Sequence, residues 1–541
     1  MYMITSVEDL DKMLARMIVA KHPERLEELG IDTEYIASLL RPTIELLRRD
    51  ALAQIEKYHE LLRVNEERQR QIDTLKAEVF RKTVEMRKLQ SRLDELQGKR
   101  EKPKTVDKPQ ITSENSSLPP SKDPIGFRRT QSLRQKSERP NGGQPGHKGY
   151  TKEQTTLPNK TIECFPDICP ECGRRIDSAG AHIAERRQIW DLPLPIVPIV
   201  TEYQSMECTC QCGCHCKGQL PQEATAPVSY GANVHALVGY MSTLQSIPFK
   251  RMVDILNNVF GLQMSQGTVS NILQRMRKKA EKEMDAIRSG IEKAEVVGAD
   301  ETGVKINGEQ HWVWTFQTEA LTYMAVDKGR GKAVIDKHFP EGLPQSILVT
   351  DRHSSYFKMD VKDHQICIAH LLRNLIYLSQ TVPDSDWPTK MMSLLREAIH
   401  LKHLSPQGCV DAREADRIRG QLDELMDNLP IVDDEAQQKT LSDFLLNLMP
   451  KKEFMLTFLT NPAVPADNNA SERSVRPVKT KMKVSGQFKN EEGAASYTSL
   501  HSIIQTERKN NRDPFAALAE LARRQQFLYV APSLDGLKSA I

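Results

Sequence analysis

Two short apolar runs decide the reading of this chain: Val296-Val-Gly-Ala-Asp300 and Ile347-Leu-Val-Thr-Asp351. Each has the pattern of a buried strand that ends on an aspartate. In the second, the period-two alternation of a strand sets Ile347, Val349 and Asp351 on one face, so the carboxylate emerges beside a packed core. Residues 310–316 and 321–326 read as two further strands. Asn307-Gly-Glu309 forms the turn after the first strand, which is predicted over 295–299. A helix over 332–338 leads into the strand 346–350, and a strand over 364–368 opens into a helix from Ala369.

Three strands, a helix and another strand predict an α/β ribonuclease-H-like core, with neighbouring strands bringing Asp300 and Asp351 together. Residues 374–466 are helix-like throughout and read as a helical insertion. A third acid then follows in Ala466-Asp-Asn-Asn-Ala-Ser-Glu-Arg-Ser-Val-Arg-Pro477. Asp467 or Asn468 is placed to cap a helix carrying Glu472. Arg473 adjoins Glu472, Arg476 lies one turn along on its face, and Pro477 is expected to end or kink the helix. Lys479, Lys481 and Lys483 then supply cations beside the acid. Asp300, Asp351 and Glu472 offer the hard oxygen ligands that Mg²⁺ or Mn²⁺ prefers. Two such ions about 4 Å apart can activate a water or a 3′-hydroxyl and stabilise the leaving oxygen of an in-line phosphoryl transfer. Glu301 is a rival to Asp300, or a residue that supports it.

The 541 residues are too many for one domain. No stretch is long and apolar enough for a membrane span, and the acidic start MYMITSVEDLDKM lacks the basic character of a secretory signal, so the expected address is cytoplasmic, at the nucleoid. Net charge is only +3, but it is unevenly spread: residues 98–150 hold twelve Lys/Arg against five Asp/Glu, and 473–489 hold six basic residues and no acid. Such local basic patches favour nucleic acid. Residues 1–43 read as short helices. Residues 44–97 read as one long helix, with a heptad of Ile72, Val79, Met86 and Leu93 at a and Leu75, Leu89 and Leu96 at d. That seam predicts a coiled coil and self-association, against the alternative of a helix folding back on its own chain. Residues 98–150, rich in Pro, Ser, Gly and basic residues, read as a flexible basic linker that can track DNA phosphates.

Eight of the ten cysteines lie between Cys164 and Cys216, a clustering that points to metal in a reducing compartment. Cys169-Pro-Glu-Cys172-Gly173 is a zinc-knuckle half-site. After a strand-like stretch at 196–206 comes Cys208-Thr-Cys210-Gln-Cys212-Gly-Cys214-His-Cys216, with Cys208 the third ligand and Cys210 or Cys212 the fourth. The surplus thiols are spare or serve a second metal. Cys367 and Cys409 read as ordinary buried or half-buried thiols. Residues 230–280 read as three helices. The last begins at the cap Ser265, and the break at 261–264 gives a helix-turn-helix-like pair whose Gln266, Thr268, Ser270 and Asn271 suit DNA contacts. A plain helical bundle is the alternative.

The chain resembles the DDE transposases of the insertion-sequence family numbered sixty-six, IS66. The resemblance rests on Asn115-Ser-Ser-Leu-Pro-Pro-Ser121, Gly142-Gly-Gln-Pro-Gly-His-Lys-Gly149, Cys169-Pro-Glu-Cys-Gly173 and Arg187-Gln-Ile-Trp-Asp-Leu-Pro193. It rests further on Ala299-Asp-Glu-Thr302, Val349-Thr-Asp351 and Asp467-Asn-Asn-Ala-Ser-Glu-Arg-Ser-Val-Arg-Pro477. It implies that Asp300, Asp351 and Glu472 bind two catalytic Mg²⁺ or Mn²⁺ ions, with structural Zn²⁺ upstream. It also implies double-stranded DNA partners, namely the element's terminal repeats and the target, and accessory proteins encoded by the same element. The expected order is a helical region (1–43), coiled coil (44–97), linker (98–150), zinc module (151–222), helix-turn-helix-like segment (223–290), first part of the core (291–373), helical insertion (374–466), second part of the core (467–525) and tail (526–541). The competing readings are a catalytically inactive, transposase-derived DNA-binding regulator and a structural coiled-coil zinc protein. The strand-borne acids argue against the latter.

Overall fold

A computed structural model of the chain describes residues 33–97, 109–116, 122–124, 127, 154–164, 169, 171–175, 182–190, 196–209, 215–217, 219–221 and 226–524. The expectations for residues 1–32, for most of the 98–150 linker, for Cys210 and Cys212, and for the 526–541 tail lie outside the described residues. In chain order the elements begin with helix α1 (Thr33–Leu96) and strands β1 (Glu207–Thr209) and β2 (His215–Lys217). Helices α2 (Ala232–Thr243), α3 (Phe249–Asn258), α4 (Gln266–Lys279) and α5 (Glu281–Glu292) follow. Then come β3 (Val296–Ile306), β4 (Glu309–Gln317), β5 (Thr322–Asp327), α6 (Lys332–His338), β6 (Leu343–Thr350), β7 (Val361–Ile366) and α7 (Ile368–Thr381). The remaining helices are α8 (Trp387–Leu404), α9 (Ala412–Asp427), α10 (Glu435–Leu448), α11 (Thr457–Thr460), α12 (Asn469–Ser485), α13 (Glu491–Lys509) and α14 (Pro514–Arg523).

The chain divides into two units. One takes in residues 1–109, 378–390 and 421–453, the other 110–377, 391–420 and 454–541. In the first, α1 is a single 64-residue helix, about 95 Å long at 1.5 Å rise per residue. Residues 33–43 belong to it, so this described part of the 1–43 region is not a run of separate short helices; the helix-favouring composition continues upstream of residue 44. Phe80 is buried and, with Val84 and Lys88, lines a groove shared with Ser442 and Leu446 of α10. Arg87 pairs with Asp433 at 3.0 Å and Lys88 with Glu435 at 2.7 Å. The heptad seam is on other faces: Ile72, Leu75, Val79, Met86, Leu89, Leu93 and Leu96 are all exposed.

In the second unit, β1 and β2 pair antiparallel with Cys208 opposite Cys216. The stretch 196–206 forms no ladder, although it reads as a strand; Val197, Ile199 and Val200 stand exposed. The main sheet has the order β5-β4-β3-β6-β7. β3, β4 and β5 form an antiparallel meander, and β6 and β7 run parallel to β3. The turn between β3 and β4 uses Asn307 (φ 48°) and Gly308 (φ 83°), the left-handed pair that a two-residue hairpin requires. This mixed α/β core is consistent with the ribonuclease-H-like expectation.

The sheet is buried on both faces, and its two clusters follow the period of two. Val297, Ala299, Trp314 and Phe316 pack on one face with Ile335, Phe339 and Tyr356. Val304, Ile306, Val313 and Met324 pack on the other with Val478 of α12 and Ala494 and Tyr497 of α13. β5 is an edge strand whose amides are satisfied by α13: Met324 N donates to Ser502 Oγ (2.8 Å) and Thr322 N to Thr506 Oγ1 (3.1 Å). Covering the edge in this way removes a template for unwanted strand pairing.

Candidate active site

β3 does not stop at Ala299 as its apolar run suggests. It continues to Ile306 because residues through Ile306 pair with β4, so Asp300 sits within the strand. Its parallel ladder to β6 ends sooner, at Gly298 opposite Val349. Carrying that register two residues further sets Asp300 beside Asp351, just past the end of β6, on strands that lie about 5 Å apart.

Alternation then sorts the neighbouring acids. Gly298 and Asp300 share the face covered by α12, whereas Glu301 points to the opposite face. Gly298 is where α12 comes closest: a Cβ there would meet Ser471 Oγ at 2.5 Å and Asn468 Oδ1 at 2.9 Å. Gln317 Nε2 donates to Ser471 Oγ at 3.2 Å. Asn468 precedes α12 but does not cap it with its side chain; its Nδ2 donates instead to Ala299 O at 2.6 Å, and Asp467 Oδ1 accepts from Asn469 N at 3.0 Å. These bonds tie the first turn of α12, and with it Glu472, to the strand beside Asp300. Pro477 does not end this helix, which runs to Ser485; the packing of Val475 and Val478 on the core outweighs one lost backbone bond.

Electrostatics reports the same convergence. Burial, and then the charges of Glu301, Asp351 and Glu472, push the Asp300 carboxyl up to about 8, opposed only by the Glu301 N–H donated to Asp300 Oδ1 at 2.9 Å. Asp351 Oδ1 accepts from His353 N at 2.8 Å. Glu301, by contrast, is neutralised: its side chain is 2% exposed, and Oε1 accepts from Arg330 Nε (2.9 Å) and Nη2 (2.6 Å). Its Oε2 accepts from the hydroxyl of the fully buried Tyr356. Arg330 also lies 4.5 Å over the Trp312 ring. Glu301 thus joins β3 to Arg330 and to Tyr356 in the segment after Asp351.

Glu472 is largely buried and faces α7, where His370 Nε2 lies 3.4 Å and Arg373 Nη2 3.7 Å from its Oε1. That oxygen and His370 Nδ1 are buried without a hydrogen-bond partner. Burial and Arg373 lower the His370 pKa. Cys367 Sγ accepts from Asn468 N at 3.2 Å, and burial pushes its thiol up to about 12. Cys367, His370 and Glu472 have ligand atoms within 4.8 Å of one another. The three acids form no group that tight. Sequence reasoning passes over Tyr356, Arg330, His370 and Arg373, whereas Cys367 is a buried thiol as expected. The only signal for the α7 pair is its spacing, Cys367-Ile-Ala-His370-Leu-Leu-Arg373, directly after a strand.

Of the residues expected to touch DNA, Gln266 and Asn271 are exposed on α4, while Thr268 and Ser270 are half-buried. Ser265 caps α4 as expected, accepting from Thr268 N at 3.1 Å, and its hydroxyl lies 3.0 Å from that of Thr268. Arg473, Arg476, Lys479 and Lys483 are exposed, but Lys481 is buried. Its Nζ donates to Ser242 O (3.3 Å) and Ile247 O (3.4 Å), and burial lowers its pKa to about 8. It faces the core because it lies three residues after the buried Val478, on the packed side of α12. Cys409 is exposed, not half-buried.

At the cysteine module, Gly173 (φ 69°) closes the turn, with Gly173 N donating to Cys169 O at 3.0 Å. The backbone amides of Cys172 and Glu171 face the Cys169 thiol and lower its pKa. Among the described residues no helix is long and apolar enough to cross a membrane.

None of the curated proteins compared with this chain matches it. A family model described as "Transposase IS66 family" matches residues 227–496, a span that holds α4, the sheet and all three acids. The chain belongs to the Transposase IS66 family.

Proposed function

We propose that this transposase cleaves the ends of its element and joins the 3′-hydroxyls to target DNA by a DDE mechanism in a ribonuclease-H-like core. The observation that carries the reading is the register of β3 on β6, which carried two residues past Gly298 and Val349 sets Asp300 beside Asp351, while Asn468 and Ser471 hold the first turn of α12, and with it Glu472, against the same strand. The residues fit divalent metal. Asp300 and Asp351 are carboxylates on neighbouring strands, and Glu472 keeps a buried oxygen without a hydrogen bond. Hard oxygen donors of this kind suit Mg²⁺ or Mn²⁺. When bound, such ions would activate the attacking oxygen and stabilise the leaving one. The chain's own part is to hold three carboxylates on rigid elements, to neutralise Glu301 through Arg330 and Tyr356, and to keep water from the apolar face behind β3.

Three further assignments belong to the same reading. Zinc at Cys169, Cys172 and Cys208, with Cys210 or Cys212, is supported by the amides turned toward the Cys169 thiol, which favour the thiolate that binds metal. The helix-turn-helix-like pair α3–α4 and exposed Arg473, Arg476, Lys479 and Lys483 contact DNA. A second copy of the chain pairs along the exposed seam of α1, since joining two ends takes at least two active sites. The test is Mg²⁺- or Mn²⁺-dependent cleavage of the DNA flanking this gene. Asp300→Asn, Asp351→Asn and Glu472→Gln are expected to lose cleavage and strand transfer while retaining end binding. Full activity in any one of them would remove that residue from the site. End binding with no cleavage by the unaltered chain would favour the regulator reading.

A further inference from the structure

Glu472 makes two contacts that a metal ligand does not need. His370 and Arg373 stand one turn apart on α7, both 19% exposed, and both reach the same carboxylate oxygen, at 3.4 and 3.7 Å. Neither contact is a hydrogen bond of good length, and Glu472 Oε1 and His370 Nδ1 remain buried without hydrogen-bond partners. Unsatisfied buried atoms cost stability, so this arrangement is held loosely. Meanwhile the oxygens of Asp300, Asp351 and Glu472 do not lie within 4.8 Å of one another. Glu472 Oε1 is turned toward α7.

A metal at Cys367, His370 and Glu472 is one explanation of that cluster. The Arg373 guanidinium, 3.7 Å from Glu472, would face such a cation. The Cys367 sulfur already accepts the Asn468 amide. Both features disfavour a cation there, and the guanidinium suits an anion. A guanidinium matches carboxylate and phosphate oxygens equally well, and an imidazole N–H donates to either.

We propose that His370 and Arg373 form an anion clamp with two successive occupants. Before catalysis it holds the Glu472 carboxylate. When Glu472 turns to join Asp300 and Asp351, the clamp takes a non-bridging oxygen of the scissile phosphodiester. His370 and Arg373 then contact the reacting phosphate, and Glu472 cannot occupy both places at once. The inference rests on the three-acid reading above.

The test measures Mn²⁺ binding to the full chain without DNA, and single-turnover cleavage of end DNA, for the unaltered protein, Arg373→Gln, Arg373→Lys, His370→Asn and Glu472→Gln. The clamp predicts that Arg373→Gln binds Mn²⁺ as tightly as the unaltered protein or more tightly, because a competing cation has gone. Its cleavage falls about 100-fold, the scale of losing one preorganised donor to a developing charge, while end binding is kept. Arg373→Lys recovers part of the rate, and His370→Asn behaves like Arg373→Gln with a smaller loss. Thermal melting without metal identifies any variant that fails to fold, and Arg373→Lys then carries the test. If Arg373→Gln weakened Mn²⁺ binding as much as Glu472→Gln does, α7 would merely hold Glu472 for the metal and the clamp would be wrong. Cleavage within threefold of the unaltered rate would also overturn it. Unchanged Mn²⁺ binding in Glu472→Gln would instead remove the three-acid reading itself, an outcome separate from failure of the clamp alone.

Discussion

Asp300 and Glu301 are adjacent in the chain and opposite in fate. Glu301 faces the apolar side of the sheet and is fully answered by protein donors, Arg330 and Tyr356. Asp300 faces the α12 side, where one backbone amide donates to it and burial, followed by the charges of Glu301, Asp351 and Glu472, raises its pKa. The first is a carboxylate the protein neutralises for its own structure. The second has its carboxyl pushed up to about 8 and is the one proposed above to hold a cation. One residue of register separates a carboxylate answered by protein donors from one that is not, and Glu472 likewise keeps a buried oxygen without a hydrogen-bond partner.

The largest effect should come from Asp300, the unanswered half of this contrast. Asp300→Asn is expected to lower Mg²⁺-dependent cleavage roughly a thousandfold or more, since metal ions contribute several kcal/mol to such transition states. Glu301→Gln, which keeps hydrogen bonding to Arg330 and Tyr356, should retain most of the activity; comparing the two rates on one DNA substrate breaks the contrast if they fall together.

Next in size is a pH effect. The folded pKa of Asp300, about 8, lies above its ordinary 3.8, so the folded state binds the proton more tightly than the unfolded one. Stability from this group is therefore full below pH 4 and lost as pH rises toward and through 8, by up to about 6 kcal/mol. Melting curves without metal should show Asp300→Asn gaining on the unaltered protein across that window. Added Mg²⁺ should restore the unaltered protein and leave the variant unmoved.

Glu301→Ala should cost about 3 kcal/mol in denaturant unfolding, because it strands the fully buried Tyr356 hydroxyl and leaves the half-exposed Arg330 without its carboxylate. Gly298→Ala should cost about 1–3 kcal/mol by overpacking against Ser471 and Asn468. That shift moves Glu472 as well, so cleavage should fall more than stability alone explains. The smallest effect is expected for Tyr356→Phe, about 1–2 kcal/mol for one buried hydrogen bond.

Much of this contrast is legible in the sequence, for a local reason. Alternation places Val349 and Asp351 on one face, and the Asn307-Gly308 turn sets the hairpin that follows Asp300. Helix α6 and the start of α4 at its Ser265 cap likewise follow from nearby residues. What alternation does not reveal is where a ladder ends. β3 runs on past Asp300 because β4, not the apolar run, decides its length. Lys481 looks like one more cation in a basic run, and only its phase relative to Val478 turns it inward. The seam of α1 reads as buried but is exposed in a single chain, where Phe80 provides the packing. Cys367, His370 and Arg373 meet Glu472 across about a hundred residues of helical insertion, a distance over which no local pattern speaks.

The central claim is that Asp300 and Asp351 serve one cation site across adjacent strands. Mn²⁺ titration of the full chain, the two single asparagine variants and the double variant tests it directly. The account predicts that each single substitution removes most of the binding and that the double loses little more, the non-additivity of two ligands to one ion. Losses that simply add, or a single variant that binds like the unaltered protein, would contradict it.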